Sequence, residues 1–319
     1  MGLSIGIDVG GTKIAGGVVD DSGRIISRVR RPSPADDAEA IVQEVIAIAR
    51  ELADSYDAQS IGIGAAGFVS KDRRTILFAP NIAWRDEPLA DRVEEALNLP
   101  VVVENDANAA AWGEFTYGVG ANANSIVFIT LGTGVGGGII IDGQLLRGSN
   151  GFAGEIGHLN LIMDGIKCGC GSRGCWEQYS SGTALVRMAR EAATADPERA
   201  RTLLDLAGGN PAKITGRAVT QAARMGCRVS RKAFDQVGRY IGFALADLVS
   251  ILDPDMFVLA GGLSEAGSLI RNPAEESFMD QQVGRDYRPT IPIVTAKLGN
   301  DAGMIGAADL ARRAFATTR

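Results

Sequence analysis

Three of the chain's four cysteines lie within eight residues, at Cys168, Cys170 and Cys175, and the only histidine, His158, precedes them. Three thiolates and an imidazole complete a tetrahedral zinc site, and a full set of four protein ligands indicates a structural rather than a catalytic ion. In a reducing cytosol, clustered cysteines also favour metal binding over disulfides. The alternative is a group of buried free cysteines. Cys227 stands apart in a helical stretch, where we expect it to pack in the core.

Two glycine-rich turns are candidates for binding phosphate. The first is Gly10-Gly11-Thr12-Lys13 and the second is Gly132-Thr133-Gly134, and each stands between two apolar runs with the spacing of strands. A lone turn of this kind is usually only a tight turn, and Rossmann and Walker loops lead from a strand into a helix instead. The pair therefore predicts hairpins whose backbone N–H groups approach phosphates, with a threonine hydroxyl as a further donor.

Two aspartates have positions that suit phosphoryl transfer. Asp8 ends an alternating run beside the first turn, where it could hold Mg²⁺, directly or through water, or simply cap the turn. Asp106 follows Glu104-Asn105 at a predicted strand-to-helix junction. There it could cap the helix, or accept the proton of an attacking hydroxyl. Position alone supports both roles of Asp106 equally.

Two carboxylates bracket the cysteine cluster. Glu155 precedes His158 by three residues, and Glu177 follows Cys175 by two. A metal that fixes this loop would also fix both carboxylates. One imidazole nitrogen of His158 can bind the metal while the other donates a hydrogen bond. Such a set suits a ring of sugar hydroxyls.

The overall composition is that of a globular protein without a basic face. The chain has 319 residues, of which 46% are hydrophobic and 22% charged, and its length predicts two domains or two lobes around a cleft. No stretch has the length of a membrane-spanning helix and the start lacks a signal peptide, so we expect a cytoplasmic protein with no membrane association. A net charge of −6 predicts no direct nucleic-acid binding.

Hydrophobic periodicity supplies the elements that would position these residues. It predicts strands over 3–9, 14–19, 61–67, 101–103, 126–131, 139–141 and 256–260. It predicts helices over 39–53, 107–115, 182–195, 197–207, 215–225, 230–252 and 301–316, the first capped by Asp36 or Asp37. The strand–turn–strand pattern occurs twice, which predicts a duplicated αβ unit.

Both hairpins and a later Ala260-Gly261-Gly262-Leu263 element resemble the three-part nucleotide site of the superfamily that contains sugar kinases, actin and heat-shock ATPases. The resemblance implies a duplicated RNase H-like α/β fold, with two lobes and an interlobe cleft. Each lobe would supply one hairpin, and the second would carry the adenosine segment. We place a small α/β lobe at 1–118 plus 301–319, and at 119–300 a large α/β lobe with the zinc loop.

Five strings carry a closer resemblance, to the ROK family, named for its repressors, open reading frames and kinases. They are Asp8-Val-Gly-Gly-Thr12, Glu104-Asn-Asp-Ala107, Leu131-Gly-Thr-Gly134, Glu155-Ile-Gly-His158 and the set of Cys168, Cys170, Cys175 and Glu177. The zinc string with Glu-x-Gly-His is specific to this family, and the resemblance covers the whole chain.

Residue by residue, the resemblance implies Asp106 as general base and sugar contacts from Asn105, Asp106, Glu155, His158 and Glu177, with Gly67 and Asn81 lining the sugar pocket. It implies nucleotide contacts from Asp8, Gly10, Gly11, Thr12, Lys13, Gly132, Thr133, Gly134, Gly261 and Gly262. It implies zinc ligands at His158, Cys168, Cys170 and Cys175. The expected cofactors are therefore ATP, Mg²⁺ and structural Zn²⁺.

The resembled family contains both kinases and repressors. Its repressors carry an N-terminal helix-turn-helix domain, whereas here the first hairpin begins at Asp8, so we expect an ATP-dependent hexose kinase. Regulation through protein contacts stays open. The chain most resembles the bacterial branch that phosphorylates the 6-hydroxyl of glucose; N-acetylmannosamine, fructose and mannose are alternatives, and polyphosphate stays open as an additional donor. We also expect a homodimer or homotetramer.

Overall fold

The computed structural model describes residues 2–316, which form two compact units. The first unit consists of residues 2–128, 137–154 and 296–316, and the second of residues 129–136 and 155–295. The lobe boundaries given above stay a prediction. Among the described residues, none of the helices combines the length and the apolar character needed to span a membrane.

The described residues contain both strands and helices. The strands are β1 (Leu3–Val9), β2 (Lys13–Val19), β3 (Ile25–Pro32), β4 (Ala58–Ala65), β5 (Phe68–Val69), β6 (Ile76–Phe78), β7 (Arg85–Glu87), β8 (Val101–Asn105), β9 (Ile126–Leu131), β10 (Val135–Ile141), β11 (Gln144–Leu145), β12 (Met256–Ala260) and β13 (Ile293–Thr295). The helices are α1 (Ala38–Ser55), α2 (Leu89–Leu97), α3 (Asp106–Tyr117), α4 (Glu177–Ser180), α5 (Gly182–Ala195), α6 (Arg201–Leu206), α7 (Gly216–Arg224), α8 (Arg228–Leu252), α9 (Ser268–Gln281) and α10 (Ala302–Phe315).

The two five-stranded sheets share one strand order. The first sheet runs β3-β2-β1-β4-β8 and the second runs β11-β10-β9-β12-β13, and β5, β6 and β7 form a small third sheet. In the first sheet β1, β2 and β3 are antiparallel, while β4 and β8 run parallel to β1. The repeated order fits the duplicated αβ unit predicted from the sequence.

Helices cover both faces of the first sheet. Adjacent residues of a strand point to opposite faces. A Cβ added at Gly16 of β2 would collide with Ile48 of α1, whereas one added at Gly17 would lie 2.6 Å from the sulfur of Met304 in α10. Therefore α1 and α10 pack on opposite faces. Asp37 caps α1 by accepting a hydrogen bond from the Ala40 N–H at 3.0 Å, one of the two caps predicted.

In the second unit, α8 and α9 pack closely and α9 contacts the sheet. A Cβ added at Gly242 of α8 would lie 2.6 Å from the Ala274 carbonyl oxygen of α9. The rings of Phe257 in β12 and Phe278 in α9 meet edge to face, with centroids 5.6 Å apart. The glycine permits the close helix approach, and the aromatic pair holds α9 against β12.

Two of the predicted elements differ from the structure. The helix predicted over 197–207 is only α6, because the Asp196 carboxylate accepts from the Arg199 N–H at 3.1 Å and residues 197–200 form a turn. The strand predicted over 139–141 begins earlier, at Val135, so that Gly136, Gly137 and Gly138 belong to β10. A Cβ added at Gly138 would collide with Ala111 of α3, so this glycine lets the helix pack against the strand. The sequence did not predict β3, β5–β7, β11, β13, α2 or α9.

Candidate active site

In the first unit, three parallel strands bring Asp8 and Asp106 to one edge of the sheet. Asp8 in β1 pairs with Gly64 in β4, and Gly64 pairs with Glu104 in β8. Asp106 is the first residue of α3, directly after β8. A Cβ added at Gly64 would lie 3.8 Å from the Asp106 Cα, so Gly64 lies directly beside the start of α3.

The two aspartates influence each other electrostatically. Burial and the neighbouring Asp106 carboxylate raise the pKa of Asp8 from 3.8 to about 6, against a smaller opposing effect of Lys13. Burial also raises the pKa of Asp106, although the Ala107 N–H opposes the rise through a 2.9 Å hydrogen bond. The site therefore holds two carboxylates that bind protons more strongly than ordinary aspartates do.

Asn105 is the residue that caps α3. Its Oδ1 accepts hydrogen bonds from the N–H groups of Ala107 at 2.9 Å and Asn108 at 3.1 Å, while its Nδ2 donates to the Gly67 carbonyl oxygen at 3.1 Å. Capping therefore does not depend on the Asp106 carboxylate. Gly67 has a φ of +150°, and a Cβ there would collide with the Phe78 carbonyl oxygen. Asn105 thus joins the start of α3 to the Gly67 backbone.

The first glycine turn lies beside Asn81, one of the two residues predicted to line the sugar pocket. The Gly10 N–H donates to the Lys13 carbonyl oxygen at 3.0 Å and closes the turn. A Cβ added at Gly11 would lie 3.0 Å from the Asn81 carbonyl oxygen, so the backbones of Gly11 and Asn81 are neighbours. Thr12 occupies the same turn, and its carbonyl oxygen accepts from the Ser33 N–H at 3.2 Å.

Glu104 forms a buried ion-pair cluster that the sequence did not reveal. The residue is 3% exposed, and its Oε2 accepts from Arg147 Nε at 2.7 Å and lies 3.4 Å from Arg73 Nε. Its Oε1 accepts from Asn108 Nδ2 at 3.2 Å and from the Asn105 N–H at 3.1 Å. The cluster fixes the backbone at the residue before Asp106. A glutamate in a buried strand signals a cationic partner, but nothing local identifies which one.

In the second unit, a cavity of about 1330 Å³ adjoins the second glycine turn. Gly132, Thr133 and Gly262, all predicted nucleotide contacts, line it. Gly261 has a φ of +82°, and a Cβ there would lie 2.6 Å from the Leu131 carbonyl oxygen, which explains glycine at this position. The sequence missed several residues that also line the cavity, among them Thr183, Arg187, Arg190, Arg217 and Arg224.

The four predicted zinc ligands converge, also in the second unit. One donor atom from each of His158, Cys168, Cys170 and Cys175 lies within 4.8 Å of the others. The Sγ atoms of Cys170 and Cys175 are 3.6 Å apart, and Cys168 Sγ is 3.7 Å from His158 Nδ1. Burial raises the pKa of the Cys168 thiol to about 12, so its thiolate requires a nearby cation. The cluster has the composition of a metal site.

Glu177 lies between the cysteine cluster and the second glycine turn. Its Oε1 is 3.1 Å from Cys168 Sγ. A Cβ added at Gly134 would lie 2.5 Å from its Oε2, so the carboxylate lies directly against this glycine. The Glu155 carbonyl oxygen accepts from the His158 N–H at 3.0 Å in the short helical turn before the cluster. The second unit thus brings His158 and Glu177 together at Cys168, while Glu155 is joined to His158 through the backbone.

Comparison with known proteins assigns the fold and the family. The chain shares 51% identity over 312 residues with a glucokinase of Streptomyces coelicolor, covering 98% of each chain. It matches the crystal structure of a ROK family glucokinase from Streptomyces griseus in complex with glucose and AMPPNP, with a TM-score of 0.87, 50% identity, and coverage of 98% of this chain and 100% of that chain. It is also 30% identical to a xylose repressor of Bacillus spizizenii, covering 96% of this chain and 76% of the repressor.

The fold is therefore the α/β fold of the sugar kinase and actin superfamily, as predicted from the sequence. The model of the ROK family matches residues 4–314. This chain belongs to the ROK family.

Proposed function

We propose that this chain is a glucokinase, which transfers the γ-phosphate of ATP to the 6-hydroxyl of glucose and yields glucose 6-phosphate and ADP. The observation that carries the proposal is the 51% identity to the Streptomyces coelicolor glucokinase over 98% of each chain. The Streptomyces griseus relative was crystallised with glucose and AMPPNP, which supports the same two substrates here. The glycine-bordered cavity of the second unit favours a kinase over a sugar-responsive repressor, because sugar binding alone requires no nucleotide cavity.

Asp106 is the general base of this reaction. Its carboxylate would take the proton of the 6-hydroxyl as the oxygen attacks the γ-phosphate. The raised pKa, which burial causes, makes the carboxylate a stronger proton acceptor than an exposed aspartate. Because Asn105 already caps α3, the Asp106 side chain remains available for the substrate.

The nucleotide is held by the two glycine turns and the adenosine segment. Backbone N–H groups donate to the phosphates, and glycine permits their close approach. Asp8 is suited to be a magnesium ligand. A bound cation would offset the repulsion from the Asp106 carboxylate, which contributes to raising the pKa of Asp8 to about 6. Mg²⁺, when bound, balances charge on the phosphates. The proposed nucleotide contacts are Asp8, Gly10, Gly11, Thr12, Lys13, Gly132, Thr133, Gly134, Gly261 and Gly262.

The sugar hydroxyls are bound by carboxylates, an imidazole and an amide. Asn105 uses one N–H for the Gly67 carbonyl oxygen, which leaves its second N–H for a hydroxyl. His158 Nδ1 lies 3.7 Å from Cys168 Sγ of the metal cluster, so Nε2 is the nitrogen that can face the sugar. The proposed sugar contacts are Asn105, Asp106, Glu155, His158 and Glu177, with Gly67 and Asn81 beside the pocket. A wrong epimer leaves a buried partner unpaired, at a cost of about 1–3 kcal/mol.

The cluster of His158, Cys168, Cys170 and Cys175 binds structural Zn²⁺. Tetrahedral zinc with Zn–S bonds of about 2.3 Å places two sulfurs roughly 3.7 Å apart, close to the observed 3.6 Å between Cys170 and Cys175. The ion would fix the loop that carries Glu177. We further propose that the chain divides into lobes at 1–118 plus 301–319 and at 119–300, and that the protein is a cytoplasmic homodimer or homotetramer.

The assignment of the base is tested by Asp106→Asn, with Asp36→Asn, in an exposed loop, as the matched control. We expect Asp106→Asn to lower kcat by about 10²–10⁴, while glucose affinity measured by calorimetry stays within a few fold. The control should retain full activity. A kcat for Asp106→Asn close to that of the wild type would show that another group removes the proton.

A further inference from the structure

The second glycine turn is held by three hydrogen bonds to consecutive carbonyl oxygens. The Leu131 oxygen accepts from the Leu263 N–H at 3.0 Å, and the Gly132 oxygen accepts from the Gly182 N–H at 2.8 Å. The Thr133 oxygen accepts from the Thr183 hydroxyl at 2.7 Å. A turn with two glycines is intrinsically free to reorient, so these bonds select one conformation of it.

Holding the carbonyl oxygens also orients the N–H groups of the turn. In a trans peptide the C=O of one residue and the N–H of the next point in opposite directions, and the described residues contain no cis peptide bond. The bond to the Gly132 oxygen therefore turns the Thr133 N–H away from α5. The bond to the Thr133 oxygen does the same for the Gly134 N–H. These two N–H groups are the donors that the hairpin offers to phosphate.

Thr183 makes the only one of these three bonds that comes from a side chain. The hydroxyl of a threonine in the first turn of a helix often forms a hydrogen bond with the backbone of its own helix. Here Ser181 caps α5, with its hydroxyl accepting from the Ala184 N–H at 3.1 Å. The Thr183 hydroxyl instead reaches a residue 50 positions away in the chain, and Thr183 also lines the cavity beside the turn. Its hydrogen bond therefore serves the turn rather than the helix.

We propose that Thr183 is a positioning residue for the nucleotide phosphates. By fixing the peptide plane between Thr133 and Gly134, its hydroxyl aims the Gly134 N–H at a phosphate oxygen. Glu177 also borders Gly134, since a Cβ added there would lie 2.5 Å from its Oε2. The inference rests on the proposed function, because it assigns the turn to ATP.

The test is Thr183→Val, which removes the hydroxyl and keeps the side-chain shape, beside Thr183→Ser, which retains the hydroxyl. We expect the Kd for AMPPNP with Mg²⁺, measured by calorimetry without sugar, to rise about three- to tenfold in Thr183→Val, the effect of one hydrogen bond. The kcat/KM for ATP should fall by the same factor. The Kd for glucose should not change, and Thr183→Ser should match the wild type within twofold.

Gly182→Ala perturbs the same turn without touching Thr183. Its added Cβ would lie 2.9 Å from the Gly132 oxygen, so the turn must shift and AMPPNP should bind more weakly in this variant too. The proposal is overturned if Thr183→Val binds AMPPNP like the wild type, if Thr183→Ser loses as much affinity, or if glucose affinity falls in parallel. A wild-type protein that binds AMPPNP but phosphorylates no hexose would contradict the proposed function alone, since the AMPPNP comparison stands without it.

Discussion

Replacing Asp8 with asparagine should make the free protein more stable. Burial and the Asp106 carboxylate raise the pKa of Asp8 from 3.8 to about 6 in the folded state. At neutral pH the ionised carboxylate is therefore less favourable in the folded than in the unfolded chain. Asparagine has nearly the same shape and no charge, so Asp8→Asn removes this penalty.

The magnitude follows from the two pKa values. A pKa raised from 3.8 to about 6 corresponds to about 3 kcal/mol of lost stability once the carboxylate is ionised in both states. The penalty is absent below pH 4, develops between pH 4 and pH 6, and is complete above that window. The difference in unfolding free energy between Asp8→Asn and the wild type should therefore grow with pH and level off near pH 7.

Urea unfolding followed by tryptophan fluorescence at several pH values measures this difference. Asp36→Asn, in an exposed loop, is the matched control and should show no pH-dependent gain. The measurement must be made without Mg²⁺ and nucleotide, because a bound cation would stabilise the wild-type carboxylate. If Asp8→Asn is no more stable than the wild type at pH 7.5, then burial and the Asp106 carboxylate together do not destabilise the ionised Asp8 in the folded protein.

Three further predictions concern pH, metal and the buried ion pair. As the pH is lowered, kcat/KM for glucose should fall with an apparent pKa above the ordinary aspartate value of about 3.9, because burial raises the pKa of the base Asp106. An apparent pKa at or below that value would contradict this. Prolonged chelation, or Cys170→Ser, should lower the unfolding midpoint and the activity together, since structural zinc supplies on the order of 10 kcal/mol of folding energy. A chelated protein that stays folded and loses only kcat would indicate a catalytic ion instead. Arg147→Ala should lower the unfolding free energy by about 2 kcal/mol, because the buried Glu104 then keeps only Arg73 as a cationic partner. Arg28→Ala, in the exposed pair with Asp301, should lower it by less than about 1 kcal/mol. Equal effects would count against a buried network.

The sequence predicted those parts of the site that are encoded locally. Glycines flanked by apolar alternation predict the β1–β2 hairpin, and the apolar run before Glu104-Asn105 predicts the junction between β8 and α3 at Asp106. The cysteine spacing likewise predicted the convergence with His158 that the structure shows. Each of these features depends on residues that lie in one short stretch of the chain, such as His158 to Cys175.

The parts that escaped prediction depend on residues far apart in the chain. Arg147 pairs with Glu104 across 43 positions, and Thr183 bonds Thr133 across 50. The sequence around Arg147 and around Thr183 is like that around ordinary surface residues. Only the fold therefore identifies Glu104 and Thr133 as their partners. The start of β10 was missed for a related reason, because the helix packed against Gly138 lies outside the local sequence.

The preference of the protein among hexoses decides whether it is a glucokinase. The initial rate of ADP formation would be measured for the wild-type protein with ATP and one sugar at a time: glucose, mannose, fructose and N-acetylmannosamine. The product formed from glucose would be identified as glucose 6-phosphate by its oxidation with a specific dehydrogenase. We predict a kcat/KM for glucose at least about tenfold above that for the other sugars, the discrimination that one unpaired buried group of about 1.4 kcal/mol provides. A higher kcat/KM for another hexose, or no sugar-dependent ADP formation, would contradict the assignment as a glucokinase.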